Sequence, residues 1–228
     1  MLPVLDEEFA RHRIARRIAL EFEDGAVVNL GIGIPTLVSD YIPEGIRVIF
    51  QTENGVVGAG PKPPEDDLRF IGAGGRCLSV IPGGALVASD FSFGLIRGGH
   101  LDATVLGALQ VDQEGNLANW WIPGKLVPGM GGAMDLVTGA KHVIVAMTHT
   151  TKKGGAKLVK KCSLPLTGAG VVSLVVTEYA LFRFTDGKMV LEEIAPGVSE
   201  KDLKEVTEAE YVTSPDLRVM RGSEEKQD

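Results

Sequence analysis

Residues 28–36 read VNLGIGIPT, and this stretch decides the fold class. Its short, largely apolar start predicts a buried strand, Gly31 and Gly33 predict a tight turn, and Pro35 suits the first turn of a helix. Glycines at such a turn let a ligand approach the backbone, and a helix N-terminus favours anions. Thr36 stands where a dinucleotide-binding fingerprint requires its third glycine, so that fingerprint is a poor match. The stretch predicts a strand-turn-helix unit whose turn has either a ligand-binding or a merely structural role.

Short apolar, β-branched runs recur along the rest of the chain. Several are continuously apolar, as expected for strands that are covered on both faces. Helical patterns lie between some of them. The predicted strands are at 26–30, 47–51, 77–81, 104–111, 142–147 and 171–177, and the predicted helices are at 36–41, 91–96 and 199–208. This mixture indicates an α/β sheet with helices on both sides.

The N-terminal segment has the pattern of a further helix. Asp6 can cap its start, and Ile14, Ile18 and Phe22 recur at four-residue spacing. Gly25 follows the last periodic residue and marks the end of the pattern. We expect the arginines of this helix to form a solvated face.

The length of the chain fits one globular domain. Its 228 residues are fewer than the roughly 250 to 300 at which single hydrophobic cores stop growing. We expect one domain over residues 1–220, followed by a charged, disordered tail at 221–228.

Composition excludes several classes of partner. A net charge of −7 without a basic block disfavours nucleic acid, because binding there depends on Lys and Arg that neutralise phosphates. The first twenty residues are too charged for a signal peptide or anchor, and no run reaches the roughly 18 apolar residues that span a bilayer. Cys77 and Cys162 lie far apart, which fits a reducing cytosol, and the four histidines lack metal-ligand spacing. We expect a cytoplasmic protein with no metal, no nucleic acid and no membrane partner.

A glutamate follows the second predicted strand in residues 48–58, which read VIFQTENGVVG. The apolar run ends just before Glu53, Asn54 and Gly55 form a turn signal, and a second apolar run follows. The carboxyl ends of strands are where α/β sheets tend to bind ligands, and a partly desolvated carboxylate there can act as a nucleophile or a base. The alternative is a surface glutamate in a hairpin turn.

A glycine-rich loop occupies residues 123–136, which read PGKLVPGMGGAMDL. Three glycines in four positions, at 129, 131 and 132, precede a stretch that is compatible with a helix. Several backbone N–H groups in one place can stabilise an oxyanion. The alternative is a flexible loop.

Taken together and in this order, these segments resemble the second (beta) subunit of family I coenzyme A transferases, the type that includes succinyl-CoA:3-ketoacid and butyrate–acetoacetate CoA transferases. The resemblance extends from about residue 15 to about residue 220. The motifs that carry it are the family's Ser-Glu-Asn-Gly turn, here TENG at 52–55, with IRGGH at 96–100, LANW at 117–120, GMGGAMD at 129–135 and LPLTG at 164–168.

The resemblance implies an open, mostly parallel α/β sheet of the kind shared with sugar-phosphate isomerases. It implies a catalytic carboxylate at Glu53 and an oxyanion-stabilising amide at Gly132. Contacts to CoA or substrate are expected from Asn29, Gly31, Gly33, Asn54, Ala133 and Arg76. Two departures stand out: Thr52 replaces the family's Ser and keeps the hydroxyl, and Gly75 followed by Arg76 occupies a place where some 3-ketoacid enzymes carry Lys. Arg76 is therefore the candidate for a CoA phosphate contact.

The same resemblance implies an activity and a partner. CoA would pass from an acyl-CoA, such as succinyl-CoA or a short-chain acyl-CoA, to a carboxylic acid such as acetoacetate, through a glutamyl-CoA thioester on Glu53. CoA is then a substrate, and no cofactor is expected. The implied partner is an alpha subunit of similar fold, in a heterotetramer of two alpha and two beta chains.

Three other functions stay open from the sequence. An acyl-CoA hydrolase would use the same glutamate but give the acyl group to water. A sugar-phosphate isomerase of related fold would need a carboxylate and a phosphate site but no glutamyl-CoA. A non-catalytic binding subunit would contribute to a pocket without using Glu53.

Overall fold

The computed structural model describes residues 2–124 and 129–223. The α-helices are α1 (Glu7–Ala19), α2 (Ser89–Arg97), α3 (Ala133–Gly139) and α4 (Glu200–Val206), and a 3-10 helix covers Ile34–Tyr41. The strands are β1 (Val27–Leu30), β2 (Ile49–Thr52), β3 (Val56–Ala59), β4 (Val80–Leu86), β5 (Ala103–Leu106), β6 (Gln110–Asp112), β7 (Leu117–Ala118), β8 (His142–Ala146), β9 (Leu158–Val159), β10 (Leu174–Val176), β11 (Ala180–Thr185), β12 (Lys188–Ile194) and β13 (Val212–Val219).

Ten of these strands form one open sheet, in the order β13-β12-β11-β10-β8-β5-β1-β2-β3-β4. Its centre, from β10 to β2, is entirely parallel. Antiparallel pairs extend it through β3 and β4 on one side and through β11 and β12 on the other. The expected open, mostly parallel sheet is confirmed. A second, three-stranded sheet has the order β7-β6-β9.

Helices cover both faces of the large sheet, as the apolar runs predict. In β8, Val143 and Val145 pack in the cluster that contains residues of α2 and α3, whereas Ile144 and Ala146 pack in the cluster that contains residues of α1. This division follows from the alternation of side chains along a strand.

Helix α1 begins where the sequence predicts. The Asp6 carboxylate accepts hydrogen bonds from the backbone N–H groups of Glu8 and Phe9, at 2.9 and 3.1 Å. Ile14 and Ile18 are fully buried against the sheet, and burial of such a side chain contributes about 1.5 to 3 kcal/mol.

The prediction of a solvated arginine face on α1 is wrong. Arg13 and Arg17 are 6% and 1% exposed. The Arg17 guanidinium donates to both carboxylate oxygens of Glu193, at 2.6 and 3.0 Å, and to Glu21 at 2.8 Å. Burial alone would lower the pKa of Arg17, but these hydrogen bonds and the two negative charges raise it. Periodicity could not reveal this site, because Glu193 lies on a distant strand.

Two predicted strands have different bounds in the structure. The run at 104–111 is not one strand: it divides at Gly107 into β5 of the large sheet and β6 of the small one. The run at 77–81 enters β4 only at Val80, whereas Cys77 forms an isolated bridge to Ile71, and β4 continues through Gly83 to Leu86. Gly83 has a φ of +84°, and the register between β3 and β4 shifts within this pairing. The glycine pair at 83–84 suggests a turn in the sequence, but it lies within an irregular edge strand.

The first residues of the predicted disordered tail contact the rest of the fold. The Arg221 N–H donates to Glu193 at 3.3 Å, Gly222 lies beside Arg16 and Leu20, and Ser223 is 3% exposed. Residues 221–223 are therefore packed on the fold, and the rest of the predicted tail, 224–228, lies outside the described residues.

Among the described helices, none combines the length and the apolar character that crossing a membrane requires.

Candidate active site

Glu53 lies in the tight turn between β2 and β3, directly after the carboxyl end of a central parallel strand, and it is half-buried. The turn closes through a hydrogen bond from the Gly55 N–H to the Thr52 carbonyl at 3.0 Å. The Thr52 hydroxyl accepts from the Val56 N–H at 3.1 Å and donates to the Asn54 side chain at 2.7 Å. The hydroxyl that Thr52 shares with the family's Ser therefore braces the turn.

Neighbouring segments fix this turn in place. Gly55 has a φ of +116°, and a Cβ at this residue would lie 2.1 Å from the carbonyl oxygen of Val87. Only glycine allows both the conformation and the close approach. The Val87 N–H in turn donates to the Gly55 carbonyl at 2.8 Å, and the Asn54 side chain donates to the Ile71 carbonyl at 2.7 Å. Glu53 is thus held on a rigid turn.

The glycine loop before α3 contacts the Glu53 carboxylate. A Cβ at Gly132 would lie 2.6 Å from Oε2 of Glu53 and 3.1 Å from the Phe93 ring, and one at Gly131 would lie 3.5 Å from Oε1. Any side chain at Gly132 would therefore displace the carboxylate. Within the described residues, the N–H of Gly132 makes no hydrogen bond. The structure brings together the two residues that the resemblance implies as catalytic.

The pairing of α2 and α3 delivers the glycine loop to Glu53. A Cβ at Gly139 would lie 2.1 Å from the carbonyl oxygen of Ile96, so the two backbones touch at the end of α3. An ion pair from Arg97 to Asp135, at 2.7 Å, joins the helices along their exposed side. Because α3 packs this closely, Gly131 and Gly132, which precede its first residue Ala133, reach the β2–β3 turn.

A buried polar network lies directly behind the turn. Asn29, Gln51 and Ser92 are 4%, 2% and 0% exposed. The Asn29 side-chain nitrogen donates to the Gln51 carbonyl and to the Gln51 side-chain oxygen, both at 3.0 Å. The Gln51 side chain donates to the Ser92 hydroxyl at 2.7 Å, and this hydroxyl donates to the Thr52 carbonyl at 3.1 Å. The network joins β1, β2 and α2 at the residue before Glu53.

The two glycines of the first turn differ in their surroundings. The Gly31 N–H donates to the Val105 carbonyl at 2.8 Å, and a Cβ at Gly31 would lie 3.1 Å from the Leu106 side chain. Close packing against β5 therefore explains Gly31 without a ligand. Gly33 has a φ of +94° and open space where a Cβ would be. Contacts of Gly31 and Gly33 with CoA stay predictions.

Arg76 lies on an exposed hairpin beside these turns. The Gly72 N–H donates to the Arg76 carbonyl at 2.9 Å, and a Cβ at Gly74 would lie 3.3 Å from the side chain of Ile32 in the first glycine turn. The hydrogen bond from Asn54 to Ile71 holds the same hairpin to the Glu53 turn. Arg76 is thus an exposed residue at the rim of the candidate site.

Part of the predicted glycine loop, residues 125–128, lies outside the described residues. Across 2–124 and 129–223, no group of three or more His, Cys, Asp or Glu side chains is placed to hold a metal ion.

Sequence reasoning missed Gln51, Ser92 and Phe93. A polar residue in an apolar strand, such as Gln51, indicates a buried hydrogen-bonding role. Nothing in the sequence marks Ser92 or Phe93, because their importance depends on where α2 lies.

Known proteins are similar in sequence to this chain over most of its length. A family model described as coenzyme A transferase matches residues 11–206. The beta subunit of acetate CoA-transferase from Escherichia coli K12 is 55% identical over 214 residues, which are 93% of this chain and 98% of that one. The corresponding subunit of a probable succinyl-CoA:3-ketoacid coenzyme A transferase from Bacillus subtilis 168 is 48% identical, over 90% of this chain and 96% of that one.

Solved structures agree with the fold. The apoenzyme of an acyl-CoA transferase (YdiF) from Escherichia coli O157:H7 superposes with a TM-score of 0.74 at 25% sequence identity. The match covers 96% of this chain but 45% of that chain. The chain therefore spans less than half the length of that larger protein.

Proposed function

The chain belongs to the coenzyme A transferase family, and from this premise we propose that it is the catalytic subunit of a CoA transferase, with Glu53 as the nucleophile. One observation carries the proposal. The Glu53 carboxylate lies at the carboxyl end of a central parallel strand, against the Gly131–Gly132 backbone, so closely that a Cβ at Gly132 would be 2.6 Å from Oε2. A carboxylate beside a glycine backbone can supply the nucleophile and the N–H donor that acyl transfer requires.

The first half-reaction forms two covalent bonds to Glu53 in turn. A carboxylate oxygen of Glu53 attacks the thioester carbonyl of the donor acyl-CoA, and the C–S bond breaks to give an acyl-glutamyl anhydride and CoA thiolate. The thiolate then attacks the Glu53 carbonyl carbon and displaces the donor's carboxylate. The product is a glutamyl-CoA thioester, which retains the energy of the original thioester.

The second half-reaction reverses these steps with a different acid. The incoming carboxylate attacks the glutamyl-CoA carbonyl and displaces CoA thiolate, which gives a new anhydride. The thiolate attacks the acyl carbonyl of that anhydride, so that the new acyl-CoA leaves and the Glu53 carboxylate is restored. Since the first product leaves before the second substrate reacts, the kinetics are ping-pong.

The surroundings of Glu53 suit this sequence. Negative charge develops on the attacked carbonyl oxygen, and the Gly132 N–H is the donor that we assign to it; such donors contribute about 3 kcal/mol to the transition state. Val56 is buried and Val57 is half-buried beside the turn, and apolar neighbours limit the access of water to the intermediates. The distant parts of CoA can supply binding energy that is used at the reacting carbon.

Substrates and partner belong to the same proposal. Two of the relatives are each named as one subunit of a CoA transferase, which supports an alpha subunit of the same enzyme type in the role of partner, and we propose two copies of each chain. Succinyl-CoA or a short-chain acyl-CoA as donor, with acetoacetate or a similar acid as acceptor, is the pairing that we propose. CoA phosphate contact by Arg76, CoA contact by Asn29 and a cytoplasmic location stay predictions.

A kinetic experiment on the complex with the alpha subunit tests the function. Initial rates are measured over a grid of succinyl-CoA and acetoacetate concentrations, and we expect parallel double-reciprocal lines with no thiol release when the acceptor is omitted. Release of CoA thiol without acceptor would assign a hydrolase instead. Absence of any transfer from a folded complex that binds CoA would contradict the proposal.

A further inference from the structure

We propose that Gln51 and Ser92 are positioning residues for the reaction, because they hold the peptide that carries Glu53 and set which way the Asn29 amide faces. This inference rests on the proposed role of Glu53 and names the part of the fold that orients it. Neither residue forms a hydrogen bond to the Glu53 carboxylate, so each would act through the backbone of the turn or through Asn29.

The hydrogen bonds of the network run in one direction. A main-chain carbonyl can only accept, so the atom of Asn29 that faces the Gln51 carbonyl at 3.0 Å must be its nitrogen. The same nitrogen donates to the Gln51 side-chain oxygen, which leaves the Gln51 side-chain nitrogen to face Ser92 at 2.7 Å. Ser92 has one hydroxyl hydrogen, and it goes to the Thr52 carbonyl at 3.1 Å. Main-chain carbonyls at both ends therefore fix every donor and acceptor between them.

The far end of this chain of hydrogen bonds acts on the catalytic turn. The Thr52 carbonyl belongs to the peptide that joins Thr52 to Glu53, and it accepts from Ser92 and also from the Gly55 N–H at 3.0 Å. Two donors from different directions fix the plane of this peptide. The direction in which the Glu53 side chain leaves the backbone is then set by α2 as well as by the turn.

The near end acts on Asn29. Both hydrogens of its side-chain nitrogen are used by Gln51, so the remaining function of the amide is its carbonyl oxygen, an acceptor. A ligand group that meets Asn29 must then be a donor, such as an amide N–H of the pantetheine arm of CoA. Without the Gln51 side chain, one hydrogen of the Asn29 amide would lose its partner, while the main-chain carbonyl of residue 51 would still hold the other.

Burial makes the network sensitive to small changes. The three side chains are at most 4% exposed, and a buried polar group that loses its partner costs about 1 to 3 kcal/mol. A fully satisfied buried network rigidifies its surroundings. If the three side chains only filled space, apolar residues would serve equally well.

The test uses Gln51→Glu in the complex with the alpha subunit, because this change alters one donor and almost no volume. An ionised Glu at position 51 has no hydrogen for Ser92, so the Ser92 hydroxyl turns toward the new carboxylate and leaves Thr52. A protonated Glu donates to Ser92 and still accepts from Asn29, which restores the original direction. Burial beside another carboxylate favours protonation well above the ordinary range of a carboxyl group.

We expect kcat of Gln51→Glu to be about tenfold to ~100-fold below that of the unchanged protein at about pH 8.5, and the ratio of the two to rise toward one as the pH falls to about 5.5. Gln113→Glu, a half-buried position remote from the turn, serves as the control, and its ratio should stay near one throughout. A ratio for Gln51→Glu that does not change with pH, in a variant with unchanged thermal stability, would overturn the inference.

A second variant decides the matter if Gln51→Glu does not fold. Ser92→Ala removes the donor to Thr52, and we expect a fall in kcat of about tenfold or more with a much smaller change in KM for the acyl-CoA. Turnover of Ser92→Ala at the rate of the unchanged protein would equally overturn it. Failure of the proposed function is distinct, because the unchanged complex would then show no CoA transfer at all.

Discussion

Two glutamates on the same sheet are held in opposite ways. Glu193 in β12 is 4% exposed, and both its carboxylate oxygens accept from the Arg17 guanidinium, at 2.6 and 3.0 Å. Glu53 after β2 is half-buried and lies against the backbone of Gly131 and Gly132, and across 2–124 and 129–223 no cation forms an ion pair with it.

The difference separates a structural carboxylate from one that can react. A carboxylate whose lone pairs are occupied by a fixed guanidinium is a poor nucleophile, and its charge serves to compensate a buried cation. A carboxylate held by shape, between a rigid turn and a glycine backbone, keeps its lone pairs free for a substrate carbonyl. Substitution of Glu53 should therefore reduce catalytic activity, whereas substitution in the Arg17–Glu193 pair should reduce stability.

The largest effect is expected for Glu53→Gln. The amide cannot form the anhydride or the thioester, so CoA transfer should fall by at least about 10⁴-fold, as for loss of other covalent nucleophiles. Because Glu53 is half-buried and in no ion pair with a described residue, the free energy of unfolding should change by no more than about 0.5 kcal/mol. Transfer rates and thermal unfolding of the complex check both statements, and normal turnover would break the comparison.

The opposite pattern is expected for Arg17→Met. Removal of Arg17 leaves the buried Glu193 with only the more distant and exposed Arg221, at 3.6 Å. Breaking a buried ion pair in this way costs about 3 to 5 kcal/mol of unfolding free energy, while the turnover per folded molecule should be unchanged. Arg69→Met is the matched control, since Arg69 pairs with Asp67 at the same kind of distance, 2.7 Å, but its side chain is 83% exposed. We expect no change in stability for that control. Equal stability of both variants, by chemical denaturation, would contradict the structural role of the pair.

Gly132→Ala tests how closely Glu53 and the glycine loop approach. The added methyl would lie 2.6 Å from Oε2 of Glu53, so the carboxylate must move, and a displacement of this size costs about 100-fold in kcat. Gly94→Ala in α2 is the control, because nothing lies within 4 Å of its Cβ position. Steady-state rates of the two variants check the prediction, which fails if Gly132→Ala retains full activity.

The smallest expected effect is a pH dependence at the structural site. Burial alone would raise the pKa of Glu21, but the Arg17 charge and the hydrogen bonds from Arg183 and Arg17 lower it overall. A lowered pKa in the folded state stabilises the protein above the ordinary range of a carboxyl group, and this contribution disappears as the pH falls through the folded-state value. The stability gap between the unchanged protein and Arg17→Met should therefore narrow in acid. Denaturation series at several pH values measure it, and a gap that widens in acid would have the wrong sign.

Local features of the sequence predicted most of the fold that positions the site. The Asp6 cap, the glycine turn after β1 and the Glu-Asn-Gly turn after β2 depend on residues close together in the chain, and the structure has each of them where expected. Continuous apolar runs predicted strands that are covered on both faces, and the resemblance implied that the sheet is mostly parallel. The resemblance placed Glu53 and Gly132 in one site before their distance was known.

Features that depend on distant residues were not predictable in the same way. Arg17 carries no mark that separates it from an exposed arginine, because its partner Glu193 is brought to it only by the packing of α1 on the sheet. Ser92 likewise becomes significant only when α2 is seen to lie over the end of β2. Gln51 was the exception, since a polar residue in an apolar strand indicates a buried hydrogen-bonding role.

The most direct test of the central claim is a peptide mass spectrum of the complex with the alpha subunit, recorded once it has been incubated with succinyl-CoA and no acceptor. The proposal predicts a CoA-sized adduct on the peptide that contains Glu53, lost when acetoacetate is added. The Glu53→Gln complex, treated in the same way, should carry no adduct. A folded, CoA-binding complex without an adduct on this peptide would contradict covalent catalysis by Glu53.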